Sequence, residues 1–267
     1  MRRRIRDAFV RASRKGRAAF VPFLTAGDPS LERTPALVAA LERAGADIVE
    51  LGVPFSDPIA DGPVIQRASE RALAAGATLG TVLQVVREIR FRSEIPLVLF
   101  SYFNPIHRYG LARFAVDAAA AGVDAVLVTD APVEEARPLW ETLSSVGLDL
   151  IPLVAPTSTR RRIKAVKALA GAFVYFVART GVTGMREVLE GGLGEQVRLV
   201  RRLAGTRVVV GFGISNPEQV HAVARLADGV VVGSALVARI AELGNTPELE
   251  GEIEGFARSL AAATVRR

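Results

Sequence analysis

A chain of 267 residues, half of them hydrophobic and 23% charged, can bury a large core, which excludes intrinsic disorder. Its apolar stretches are broken every few residues by Gly, Pro or a charge, and none approaches the roughly 18 residues that a membrane span needs. Cysteine is absent, which removes disulfides, thiolate metal sites and any thiol nucleophile, and the net charge of +6 is almost wholly arginine, since Lys15, Lys164 and Lys167 are the only lysines.

In chain order, residues 1–15 read as a basic helix without the apolar stretch of a signal peptide, which leads us to expect a cytoplasmic protein. The first strand is predicted at 19–24. A helix follows with Leu37, Val38 and Leu41 at helical spacing, opened either by Thr34 with Pro35 at its first position or by Ser30. Further strands are predicted at 48–51, 97–102, 125–129, 150–154, 173–178, 208–211 and 230–232. Each is nearly continuous in hydrophobicity, as parallel strands covered on both faces are. Val82, Val85, Val86 and Ile89 mark the helix before the third strand, and 247–265 reads as the last helix. Gly45, Gly122 and Gly147 stand where helix C-caps need a positive φ, each followed within a few residues by a strand.

Eight βα units with short connections and no linker predict an α/β fold, a (β/α)₈ TIM barrel over residues 1–267 as one domain with an extra N-terminal helix. An open doubly wound sheet is the alternative. The arginine runs 2–4 and 160–162 have no aromatic interleaving and no nucleic-acid module around them, so they read as solvated helix faces.

A barrel of this kind carries its chemistry at the C-terminal ends of the strands. That rule selects Thr25, Asp28, Glu50, Asp57, Asp61, Tyr102, Asn104, Asp130, Tyr175, Thr183 and the glycine-rich loops after the last two strands. Glu50 is the most informative, because a carboxylate is out of place in the run Ile48-Val49-Glu50-Leu51-Gly52. Strand alternation puts Ile48, Glu50 and Gly52 on one face, so Glu50 points into the barrel mouth if Val49 and Leu51 pack on helices. Burial there raises its pKa into a range useful for proton transfer; pairing with an arginine would make it merely structural. Asp61 lies in a loop stiffened by Pro54, Pro58, Gly62 and Pro63, and either faces the mouth or caps the helix opening at Pro63.

The loops Gly211–Ser215 and Gly233–Leu236 stand where barrels bind phosphate with backbone N–H groups, which glycine lets approach closely. The loop from Arg179 to Met185, with Gly191, Gly192 and Gly194 beyond, reads as a lid. No lysine falls at the mouth for a Schiff base. His107, in a loop after Pro105, and His221, in a helix starting at Pro217, are too far apart to suggest a metal. Carboxylate acid–base chemistry on a phosphorylated substrate that supplies its own electron sink remains.

These residues match a family. Glu50 followed by Leu51-Gly52-Val53-Pro54-Phe55-Ser56-Asp57-Pro58, then Asp61-Gly62-Pro63, resembles the signature of tryptophan synthase α chains. The first-strand segment Phe20–Pro29 and the loops Thr180–Gly184, Gly211–Ser215 and Val232–Ala235 are similar to the corresponding family segments. The resemblance implies retro-aldol cleavage of indole-3-glycerol phosphate, with Glu50 moving protons and Asp61 stabilising positive charge on the indole nitrogen. It implies phosphate held around Gly184, Gly213, Gly233 and Ser234, and an indole pocket of Phe23, Phe100, Tyr102, Leu127, Leu153, Tyr175 and Phe212. Thr183 would reach Asp61 from the lid. No cofactor or metal is implied in this chain: pyridoxal phosphate (PLP) belongs to a partner β chain, expected in an α2β2 heterotetramer and contacted by loops two and six with Asn104. No nucleic acid or membrane is implied as a partner. Rival readings are a related phosphate-binding barrel enzyme, which would need a lysine or cysteine, a free-standing lyase, and a non-catalytic subunit that only activates a β chain.

Overall fold

The computed structural model describes residues 3–169, 171–178, 192–211 and 213–266. Nine parallel strands form one sheet: β1 (Ala19–Thr25), β2 (Val49–Gly52), β3 (Leu97–Ser101), β4 (Ala125–Val128), β5 (Asp149–Ile151), β6 (Leu153–Val154), β7 (Phe173–Val177), β8 (Arg207–Gly211) and β9 (Gly229–Val232). The order β5-β4-β3-β2-β1-β9-β8-β7-β6 makes β5 and β6 the two ends. They are consecutive pieces of one stave, split at Pro152, which has no N–H to give to the ladder. Its carbonyl still accepts the Tyr175 N–H at 3.0 Å, so the break lies inside the closure. The barrel therefore has eight staves, and the stave predicted at 150–154 is present in two pieces.

Period-two alternation divides the apolar side chains between two cores. Phe20, Leu24, Val49, Leu51, Leu97, Leu99, Val126, Val174, Phe176, Val208, Val210 and Val230 face outward and pack under the surrounding helices. Ala19, Val21, Phe23, Ile48, Val98, Leu127, Ile151, Phe173, Tyr175, Val209 and Val231 fill the barrel. Its floor is closed by the N-terminal helix Arg3–Arg14, whose Ile5, Ala8, Phe9 and Ala12 follow helical spacing and join the inner core. Phe9 meets Phe173 edge-on at 5.7 Å, and the Arg207 guanidinium lies 5.3 Å from the Phe9 ring centre. Each such fully buried large side chain stabilises the fold by about 1.5–3 kcal/mol.

Gly45, Gly122 and Gly147 have φ of 105°, 98° and 84°, as helix C-caps require. Two of the aspartates that follow, Asp47 and Asp124, and also Asp228 just before β9, bind backbone N–H groups at the barrel floor. Asp47 accepts the Phe20 N–H, Asp124 the Leu97 N–H and Asp228 the Val208 N–H, each at 2.9 Å. Each is paired to arginine as well: Asp47 to Arg17, Asp124 to Arg90 and Arg4, Asp228 to Arg201. One strand start is thus tied to its neighbour's aspartate.

Several local expectations need correction. Neither Thr34 nor Ser30 caps the helix Thr34–Ala44; Arg33 stands at its N-cap without a side-chain bond, while the Thr34 hydroxyl donates to the Ser30 carbonyl at 3.0 Å and accepts the Gly27 N–H. The segment read as a loop around Pro105 and His107 is the helix Phe103–Tyr109. The helix expected to open at Pro63 runs Pro63–Ala74, and the one marked by Val82 to Ile89 is Leu79–Arg90. The last helix is Leu249–Ala262. No single described helix is long and apolar enough to cross a membrane.

Candidate active site

Glu50 sits at the centre of β2, paired in register with Phe23 of β1 and Val98 of β3. Its neighbours Val49 and Leu51 are in the outer core, so its own side chain turns into the barrel. It is fully buried, and neither carboxyl oxygen has a hydrogen-bond partner among the described residues. Among the described residues no arginine pairs with it, as a structural carboxylate would need. Desolvation by the apolar surroundings therefore pushes its pKa from an ordinary 4.5 up to about 8, so it holds its proton at neutral pH. Gly52 clears the way beside it, since a Cβ there would meet the Phe23 ring at 2.5 Å.

The loop after β2 is held by its own short bonds. Asp61 N–H donates to the Pro58 carbonyl at 3.0 Å, and the Gln66 side chain donates to the carbonyls of Asp61 (3.0 Å) and Pro58 (3.3 Å). Gly62 is the N-cap of the helix Pro63–Ala74 and no side chain caps it, so Asp61 does not serve as a cap. Its Oδ2 instead accepts the Tyr102 hydroxyl at 3.1 Å. Burial raises the Asp61 pKa from 3.8 to about 6, and the Tyr102 hydrogen bond opposes that rise.

Both carboxylates line one cavity of about 580 Å³ at the barrel mouth, together with Phe23, Phe100, Tyr175, Gly213, Gly233 and Ser234. Phe23 and Phe100 meet edge-on at 5.3 Å on its wall. Ser234 opens the helix Ser234–Leu243 with Gly233 as N-cap, so the unpaired amides and positive end of a helix face into the cavity. Gly213 has a φ of 71°, a conformation that favours glycine. A second hollow of about 1460 Å³ continues from the first through Asp61, Phe100 and Tyr175, and adds Leu153, Thr129 and Asp130.

The remaining candidates divide. Leu127 is fully buried in the inner core and lines neither hollow, and Tyr102 stands behind the wall, packed on Phe55 with ring centres 5.1 Å apart. Asp28 is tied to Arg71 by two bonds of 2.8 Å, Asp57 and Asn104 are exposed, and Asp130 accepts the Phe103 N–H at 2.7 Å. Thr183, Gly184 and Phe212, and the lid expected after the sixth stave, lie outside the described residues, apart from Gly192 and Gly194. Ile65, Ile214 and Val231 line the cavity without having been singled out, because an apolar residue in an apolar run carries no signal of its own. Among the described residues no three His, Asp or Glu side chains converge as metal ligands.

The chain around this mouth matches a known family along nearly its whole length. The family model for the tryptophan synthase alpha chain matches residues 9–264. The tryptophan synthase alpha chain of Solibacter usitatus is 52% identical over 257 residues, 96% of each chain. The chain belongs to the tryptophan synthase alpha chain family. Among solved structures, tryptophan synthase subunit alpha from Legionella pneumophila superposes with a TM-score of 0.90 at 35% identity, over 98% of both chains. A chain of the tryptophan synthase complex from Pyrococcus furiosus does so with 0.82 at 36% identity, over 92% of this chain and 99% of that one.

Tryptophan synthase alpha chains are lyases of tryptophan biosynthesis that cleave indole-3-glycerol phosphate. In this family the alpha chain carries no cofactor, PLP being held by the β subunit with which it partners. The exposed Ile59 and Phe103 beside this mouth leave apolar surface at its rim.

Proposed function

We propose that Glu50 and Asp61 carry the retro-aldol step and that Gly213, Gly233 and Ser234, with Gly184, hold the substrate phosphate. Protonated Glu50 gives its proton to the indole C3, leaving a cation whose charge rests on the ring nitrogen beside the Asp61 carboxylate. The Glu50 carboxylate then takes the proton of the glycerol hydroxyl. The bond between C3 and the glycerol carbon breaks, its electron pair returns to the ring, and indole and glyceraldehyde 3-phosphate leave. Glu50 ends as it began, protonated, so one group serves both transfers.

The observation that carries this reading is the Glu50 carboxyl, buried without a partner in the cavity that Asp61 also lines. A group so placed costs stability, and proton transfer is what compensates for it. Phe23, Phe100, Leu153 and Tyr175 supply apolar wall for the indole. Phe212 and Thr183, which lie outside the described residues, are assigned by this reading to the same wall and to a contact with Asp61. Two amides at a helix start supply the charge complement for phosphate. We further infer that the whole chain acts as one barrel domain, that it assembles with β chains as an α2β2 heterotetramer, and that it works in the cytoplasm.

Indole release from indole-3-glycerol phosphate by the purified protein, with and without β chain, tests the reading. Weak cleavage alone and strong stimulation by β chain are expected; equal rates would favour a free-standing lyase. Glu50→Gln should abolish turnover while a phosphorylated ligand still binds. Unchanged turnover in that variant ends the mechanism.

A further inference from the structure

Tyr102 follows β3 and is buried, yet it borders neither hollow at the mouth. Its hydroxyl instead joins two consecutive residues of the loop after β2. It accepts the Ala60 N–H at 3.0 Å and donates to Asp61 Oδ2 at 3.1 Å. A phenol has a single proton, and here it is committed to the carboxylate. The ring packs against Phe55 of the same loop, which fixes the position of the phenol oxygen. Asp61 Oδ1 has no hydrogen bond to any described residue, so among those residues the two carboxylate oxygens differ, Oδ2 alone being anchored in a side chain that lines the cavity.

We propose that Tyr102 is a positioning residue for Asp61, its hydroxyl anchoring Oδ2 so that Oδ1 is presented to the N–H of the substrate ring. The proposal rests on the reading that Asp61 faces that nitrogen. It also gives Tyr102 a second effect, on charge. A hydrogen bond donated to a carboxylate favours its ionised form, and here it counters the desolvation that drives Asp61 toward neutrality. Among the described residues the other titratable groups around Asp61 are Glu50 and Tyr175 across the cavity and, in the adjoining hollow, Asp130 and Arg162, the latter paired to Glu134. None of them hydrogen-bonds to Asp61, so among the described residues Tyr102 is the side chain whose hydrogen bond favours its charged form. Burial and the neighbouring Asp61 charge push the Tyr102 pKa up, so the phenol stays a donor throughout.

The test is Tyr102→Phe in the full chain, which keeps the ring on Phe55 and removes one oxygen. Ala60 is exposed, so its freed N–H meets water. The Asp61 carboxyl is titrated by ¹³C NMR, its resonance identified by its loss in Asp61→Asn. The midpoint should rise by about one pH unit, the usual size for loss of one hydrogen bond to a charged group. In the presence of β chain the acid limb of kcat/KM should move up with it, so that the roughly tenfold loss at low pH shrinks to a few-fold at high pH. An unmoved midpoint overturns the proposal, as does a loss confined to KM and equal at every pH, which is what a simple wall residue would give. If Asp61→Asn keeps wild-type turnover, the reading of Asp61 fails instead, and the NMR midpoint still decides whether Tyr102 holds it.

Discussion

The Tyr175 hydroxyl occupies the space in which a side chain at Gly211 would stand. Tyr175 points into the barrel from β7 and Gly211 ends β8 next to it, with a Cβ at 211 overlapping the phenol oxygen. The absence of a side chain on one stave therefore seats the aromatic wall of the cavity from the next. Burial and the charges of Glu50 and Asp61 push the Tyr175 pKa well up, so it is a neutral wall residue. Gly211→Ala should displace the ring and lower kcat/KM by about tenfold or more, a loss read as transition-state stabilisation. Shortening Tyr175 to Val in the same chain should restore part of the lost stability. A double-mutant cycle by urea unfolding checks this, with a coupling of about 0.5–3 kcal/mol expected between touching residues. Strict additivity would mean that the two do not compete for space.

Activity should depend on pH through both carboxyls. Asp61 must be charged to face a cation, and it ionises at about 6. Glu50 must hold its proton to start the reaction, and it loses it at about 8. The kcat/KM profile should therefore rise through about 6, fall through about 8 and be highest between. A profile flat from pH 5 to 9 would separate the chemistry from these two groups.

Replacing Glu50 should raise stability although it abolishes activity, and the gain should depend on pH. Unfolded, this side chain loses its proton near 4.5; folded, it keeps it to about 8. Between those values the folded chain binds the extra proton, so stability falls as pH rises, at about 1.4 kcal/mol per pH unit. Below 4.5 both states are protonated and the contribution vanishes. Glu50→Gln cannot ionise, so its advantage over the wild type should be small at pH 4.5 and grow up to pH 8. Urea unfolding at those two pH values checks it, and an advantage that does not change with pH would mean that Glu50 is not buried as an acid.

At the other end of the barrel, Asp124 is fully buried and accepts from Leu97 N–H and from Arg90 at 2.8 Å. The Arg90 side chain is only 11% exposed, so truncating its partner strands a buried cation. Asp124→Ala should cost about 3–5 kcal/mol of unfolding free energy. Because the floor is remote from the mouth, the kcat of the protein that remains folded should hardly change. A loss below 1 kcal/mol in denaturant would show that the pair is solvated.

What the sequence determined by itself was everything with a short period. Eight apolar runs, the glycines at 45, 122 and 147 and the alternation through Ile48-Val49-Glu50-Leu51-Gly52 were enough for the βα units and for setting Glu50 on the face opposite Val49 and Leu51, because alternation and left-handed caps are local properties of the backbone. Closure into a barrel was left to the tertiary structure. Where Asp61 points was open, since its sequence allowed a helix cap equally well. Tertiary closure decided it by bringing Tyr102 across from the next stave, 41 residues away in the chain. The same closure buried Leu127 beneath the mouth, put Tyr102 behind the wall and tolerated Pro152 inside a stave. Those outcomes depend on which side chains meet once the sheet has curved shut, and no pattern along a single strand encodes that.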